Sequence, residues 1–203
     1  MSNDTFTGTE QKIVEAAKKV FLERGFDGAR MQHIADEAGI NKASLHYYYR
    51  SKERLFDKIF FDAFNEFFPK IGQIMTSDLD FFEKIRALTL QYIDLLSHNP
   101  YLPVFVLHEM NRRPDKLLEI LKSSGIDPLM LKSVIEKEIK SGRINEIDYR
   151  HLIINILALC IFPIVAKPVI KGFIMGNDSR AFDLFTEERK RVVADFVINA
   201  IKK

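Results

Sequence analysis

Met31-Gln-His-Ile-Ala-Asp-Glu-Ala-Gly-Ile-Asn-Lys-Ala-Ser-Leu-His-Tyr-Tyr-Tyr49 is the stretch that decides the fold of this chain. Each restricted position in it has a steric reason. Ala35 is small where two helices must cross closely. Gly39 can take the left-handed conformation that ends a helix, and Asn41 can cap the next one through its side-chain oxygen. Ile34, Ala38, Ile40, Leu45 and Tyr48 supply apolar faces to lock the pair against a preceding helix. Two short helices joined by a tight Gly turn are the arrangement that seats the second helix in a DNA major groove. With Leu45 and Tyr48 turned inward, the outward face of that helix carries Lys42, Ala43, Ser44, His46 and Tyr47. Lys42 and Ser44 can reach base edges or phosphates, and His46 and Tyr47 can donate to phosphate oxygens or stack on sugars. Ser51-Lys52 then opens a further helix, whose free N–H groups together with the Lys52 ammonium suit a phosphate. A plain helical hairpin shares the Ala-x3-Gly pair; the full spacing favours DNA.

Working outward, helical periodicity runs nearly everywhere and strand alternation almost nowhere. Ile13, Ala17, Val20 and Phe21 share one helical face, with Thr9 as the expected N-cap and Gly25 as the stop. A second helix covers Met31 to Ala38, a third follows Asn41, and a fourth starts after Ser51. In the fourth, Phe56, Phe60, Phe64, Phe67 or Phe68, and Ile71 recur at about one per turn, with Pro69 expected to bend or break it. Further helices are predicted over Asp80 to Ser97, Leu102 to Arg112, Asp115 to Ser123, Pro128 to Ser141, Tyr149 to Ile170 and Glu187 to Ile201. Pro163 and Pro168 predict a kink in the most apolar of these. The fold class is all-α.

Composition narrows the function. The 203 residues hold 47% hydrophobic and 29% charged side chains, enough apolar surface to offset chain entropy and form a core. Thirty Lys and Arg stand against 28 Asp and Glu, a net +2 that by itself says nothing of nucleic acid. Residues 39–54 break that silence: Lys42, Arg50, Lys52 and Arg54 against Glu53 make a local +3. One cysteine, Cys160, excludes an internal disulfide framework and a multi-Cys zinc site, and fits a reducing cytoplasm as a small buried residue. Met1 to Glu10 has neither the basic nor the apolar region of a signal peptide. The longest uncharged run, Leu152 to Ala166, is fifteen residues, short of the roughly 20 that span a bilayer. No membrane partner is expected. The chain lacks a Gly-rich phosphate loop, a metal cluster and a nucleophile elbow, so neither an enzyme nor a cofactor is expected.

The segment Gly39-Ile-Asn-Lys-Ala-Ser-Leu-His-Tyr-Tyr-Tyr-Arg-Ser-Lys-Glu-Arg-Leu55, with Ala16-Ala17, Phe21 and Gly25-Phe26 before it, resembles the TetR family of transcriptional regulators. The strong likeness covers about residues 9 to 56. It departs from the family's usual pattern at His46, where Tyr is commoner, and at Tyr47, Asn41 and Ala43. The resemblance implies an N-terminal three-helix helix-turn-helix DNA-binding domain at 1–50 and a larger helical ligand-sensing and dimerisation domain at 51–203. It also implies DNA contacts at Gln32, Lys42, Ala43, Ser44, His46, Tyr47 and Lys52, beside the capping Asn41.

Eight of the 17 Phe residues fall between Phe56 and Phe82. With Tyr92 and Phe105 they suggest a pocket for an apolar ligand at Phe60, Phe64, Phe67, Phe68, Tyr92, Phe105 and His108, or else a solid core. Leu152, Ile156, Leu159 and Pro163 form one broad apolar face; Val192, Val193, Phe196, Val197 and Ile201 form another. Two such helices from each of two subunits can pack as a four-helix bundle. A dimer places two recognition helices on half-sites about 34 Å apart. The expected protein is a cytoplasmic homodimeric repressor on a palindromic operator in double-stranded DNA, released by a hydrophobic small molecule. The alternative is a DNA-binding dimer without a small-molecule effector.

Overall fold

The two helices of the deciding segment form where expected. The computed structural model describes residues 8–112 and 114–203, apart from the side chains at positions 105, 108, 112 and 116. Helix α1 spans Gly8–Gly28, α2 Met31–Ala38, α3 Lys42–Tyr48 and α4 Lys52–Thr76. Thr9 lies inside the first turn of α1, which starts one residue earlier, and is not its cap. Gly25, at φ 66°, interrupts α1 as predicted, and one further turn runs on to Gly28. Gly39 sits at φ 67°, ψ 31°, where an L side chain is strained. Its N–H donates to the Asp36 carbonyl at 3.2 Å and that of Ile40 to Ala35 at 3.0 Å, the reciprocal pair that closes a helix end. Asn41 Oδ1 accepts the Ser44 N–H at 2.7 Å and so starts α3.

The chain divides into two compact units between Phe64 and Asn65, inside α4, rather than at residue 50. The reason is burial. Phe56 on α4 meets Phe21 at 4.9 Å and Phe26 at 5.3 Å between ring centroids, both edge to face, and Leu55 and Ile59 are buried beside it. The first turns of α4 thus complete the core of the first unit, with Ile13, Ala17, Ile34, Ala35 and Leu45. Pro69 does not end α4. It removes the donor for the Asn65 carbonyl, but both residues are exposed, so water can take that bond.

The second unit is built on α5 (Phe81–His98), α9 (Tyr149–Val165) and α11 (Ser179–Ile201). Helices α6 (Leu102–Arg112), α7 (Pro114–Ser123) and α8 (Pro128–Lys140) accompany them. Ile85, Ile93, Leu152, Cys160, Val193 and Val197 interlock in the core. Asp94 pairs with Lys190 at 2.5 Å, and Arg86 with Asp195, which sets the register of α5 against α11. Helix α11 begins at Ser179, not Glu187, because Gly176 and Asn177 turn the chain at positive φ and Asp178 caps the helix.

The prolines of the apolar helix act at different places. Pro163 stays inside α9, where its missing N–H frees the Leu159 carbonyl. Arg189 on α11 supplies the lost donor, its Nη2 reaching that carbonyl at 2.7 Å. The break comes at Ala166, beyond which α10 (Lys167–Val169) and a π-helical turn (Ile170–Ile174) follow at a bend of 60°. No single helix among the described residues is long and apolar enough to cross a membrane. Among those residues an isolated bridge joins Ile144 to Lys202 and no strand forms.

Candidate nucleic-acid interface and effector cavity

Helix α3 is held from behind by one fully buried side chain, Leu45, and by its capped start at Asn41. Everything chemical faces away from that anchor. Lys42, Ala43, His46 and Tyr47 are exposed, with Tyr47 at 85%, and Ser44 is half-buried. Gln32 is exposed on α2, its amide donating to Asp36 Oδ1 at 2.7 Å. The His46 Nδ1 lies 3.3 Å from the Arg50 carbonyl, which leaves Nε2 for an outside partner. Of the side chains predicted to meet DNA, Lys42, Ala43, Ser44, His46 and Tyr47 lie on α3 just after its cap Asn41, whereas Gln32 lies on α2 and Lys52 on α4.

Two residues do something other than predicted. Tyr48 is exposed, and the inward anchor after Leu45 is Tyr49. Helix α3 stops at Tyr48, and Tyr49 turns into an extended conformation at φ −134°, ψ 107°. Four residues after Leu45 rather than three, its ring enters the core and its hydroxyl donates to Glu10 Oε1 on α1 at 2.8 Å. Burial, and then the carboxylate of Glu10, raise the Tyr49 pKa above the ordinary tyrosine value.

Lys52 is the second. Its Nζ donates to the Phe26 carbonyl at 2.6 Å and the Ala29 carbonyl at 3.1 Å, and lies 4.4 Å from the centre of the Phe26 ring. Two of its three ammonium donors thus close the end of α1 instead of standing free for a phosphate. Lys52→Met keeps the aliphatic stem but leaves two part-buried carbonyls without that donor, a cost of about 1–3 kcal/mol. The expected result is a lower melting temperature with an unchanged slope of DNA affinity against salt. A reduced slope with a normal melt would restore the phosphate role.

The aromatic residues predicted to line a pocket divide between the units. Phe60 and Phe64 belong to the first, their rings tilted at 37° with centroids 4.4 Å apart. Phe67, Phe68 and Tyr92 belong to the second, where Phe67 meets Tyr92 at 5.5 Å. Phe105 and His108 lie outside the described residues. Among the described residues, none of Phe60, Phe64, Phe67, Phe68 and Tyr92 lines the apolar cavity of about 60 Å³ in the second unit, whose walls include Met75, Phe81, Ile85, Leu131 and Ile156. Cys160 is buried, and burial pushes its thiol up to about 12, so it stays protonated and unreactive at neutral pH.

Sequence comparison bears on this geometry. The model of "Bacterial regulatory proteins, tetR family" matches residues 13–59. The uncharacterized HTH-type transcriptional regulator YhgD of Bacillus subtilis (strain 168) is 30% identical over 146 residues, covering 67% of this chain and 72% of that protein. This chain belongs to the TetR family. The match from Ile13 to Ile59 takes in the first turns of α4, in keeping with their burial in the first unit. Two solved structures share the TetR-family fold along nearly the whole chain. The ketosteroid transcriptional regulator KstR2 of Mycobacterium tuberculosis gives a TM-score of 0.76 at 19% identity, covering 98% of this chain and 97% of that one. The regulator FadR of Bacillus subtilis, solved with stearoyl-CoA, gives 0.62 at 19% identity, covering 91% and 97%. The curated relatives carry the names of transcriptional regulators.

Proposed function

We propose that this TetR-family chain is a homodimeric repressor that reads a palindromic operator with α3 and leaves it when an apolar small molecule binds the second unit. The observation that carries the DNA reading is the sidedness of α3: Leu45 inward, and Lys42, Ala43, His46 and Tyr47 outward beside the capped turn at Asn41. In this reading Lys42 and Tyr47 contact phosphates or base edges, with Gln32 and Ser44 at the margin. Lys52 acts mainly by keeping the reading head folded.

Dimerisation is supported by apolar surface that the monomer leaves uncovered. Helix α9 directs Leu152, Cys160 and Pro163 inward, yet Ile154, Leu157 and Phe162 are exposed. Helix α11 buries Val193 and Val197 while Val192 and Phe196 face out. Helices apolar on both sides belong in an interior, and a second copy supplies one. The predicted face of α11 is thus divided between core and surface, whereas the predicted face of α9, Leu152, Ile156, Leu159 and Pro163, is buried or half-buried, and Ile154, Leu157 and Phe162 are the part of α9 proposed to pair. Effector release is supported by the stearoyl-CoA complex of FadR and by the apolar cavity here.

Selection of bound sequences from random DNA tests the reading. The expected product is a palindrome with half-sites about one helical turn apart. Enrichment of a single asymmetric site, or of none, would overturn it.

A further inference from the structure

One contact in the reading head decides what α3 can offer to DNA at its far end. His46 lies in the last turn of α3 and is exposed. Its Nδ1 stands 3.3 Å from the Arg50 carbonyl, across the bend that leads into α4. A carbonyl oxygen only accepts, so this bond requires the proton on Nδ1. Among the described residues nothing else donates to that carbonyl. In the neutral ring Nε2 is then bare, an acceptor alone, and it is the nitrogen left for an outside partner. The donor expected for a phosphate is therefore used within the chain.

We infer that His46 is a specificity-determining residue: with Nδ1 held by the Arg50 carbonyl, its bare Nε2 reads the exocyclic amino group of an adenine or a cytosine in the major groove. The inference rests on the reading of α3 as the recognition helix. Elimination chooses the partner. Phosphate oxygens are acceptors and oppose a second acceptor, which rules out the DNA backbone. On the major-groove edges guanine offers N7 and O6 and thymine offers O4, acceptors again. The N6 amino group of adenine and the N4 amino group of cytosine are the donors that remain.

The same geometry makes the contact discriminating. Exchange of adenine for guanine, or of cytosine for thymine, puts a keto oxygen where the amino nitrogen stood, so that two acceptors meet. Lys42, one turn earlier on α3, is exposed and donates only, which suits phosphates and the acceptor edges. The two ends of this short helix thus present opposite hydrogen-bonding character.

Selection of bound sequences at pH 8, where an imidazole is neutral, followed by affinities for single-base replacements in the selected operator, tests the assignment. One position in each half-site should require adenine or cytosine, and its exchange for guanine or thymine should weaken binding at least about tenfold. Purine in place of that adenine, or 2-pyrimidinone in place of that cytosine, removes only the amino group and should also lose affinity; this arm uses the unaltered protein. His46→Leu should lose the preference at that position and keep it at all others. His46→Lys, which can only donate, should turn the preference there to guanine or thymine. Melting curves of both variants separate lost readout from lost fold. A uniform loss across all sequences in His46→Leu would make the residue a phosphate contact, and an unchanged preference would make it only a tie to Arg50; either result overturns the inference while a palindrome still upholds the reading of α3. Selection of no palindrome would overturn both.

Discussion

Phe56→Ala unfolds the reading head: the expected loss is about 3–5 kcal/mol of that unit's stability, and operator binding disappears with it. Phe56 is almost fully buried, and its ring is the shared member of two edge-to-face contacts, with Phe21 and Phe26. Each such contact contributes about 0.5–1.5 kcal/mol beyond the area it buries, so truncation removes both and leaves a cavity. The unit ends at Phe64, and a domain of about 60 residues is marginal to begin with. A loss of that size takes most of its stability. Calorimetry should show a transition shifted down or lost, with the helical signal of the second unit retained. Phe56→Leu, which keeps most of the volume, should cost less and keep measurable binding. A wild-type melt with full operator affinity in Phe56→Ala would mean that α4 does not complete this core.

How much of this was legible beforehand depends on the range of the interaction concerned. Gly39 and Asn41 were readable because their roles are local: a left-handed backbone and a cap are set by neighbours within a few residues. The all-α class and most helix limits followed from periodicity for the same reason. Tyr48 and Tyr49 show where local reasoning stops. Both lie at helical spacing from Leu45, and the choice between them was made by Glu10, 39 residues away. Lys52 is a similar case. Its place at a helix start suggested a phosphate, but the carbonyls it closes belong to Phe26 and Ala29, more than 20 residues upstream. The partnership of Arg189 with the carbonyl freed by Pro163 has no sequence signal either, because it joins α11 to α9 across 30 residues.

The second large effect falls on the apolar surface of α9 and α11. Phe196→Asp should dissociate the proposed dimer and weaken operator binding by at least about a hundredfold, since linked half-sites gain about 10²–10⁴ over single ones. Phe196 is 64% exposed and Phe162 is 65% exposed, so neither ring is needed to fill the monomer core. A charge at either position costs the isolated subunit little, whereas in a four-helix interface it must be buried without a partner. The fold therefore survives the substitution while the assembly does not. Val193 and Val197, neighbours of Phe196 on the same helix, give the contrast: both are buried, and a charge there should unfold the second unit instead. Light scattering should give a monomer mass for Phe196→Asp and Phe162→Asp, with circular dichroism unchanged, while Phe196→Leu stays dimeric. Each half-site should still be recognised with the same base preference, because α3 is untouched. A dimer mass for both aspartate variants would remove this face from consideration.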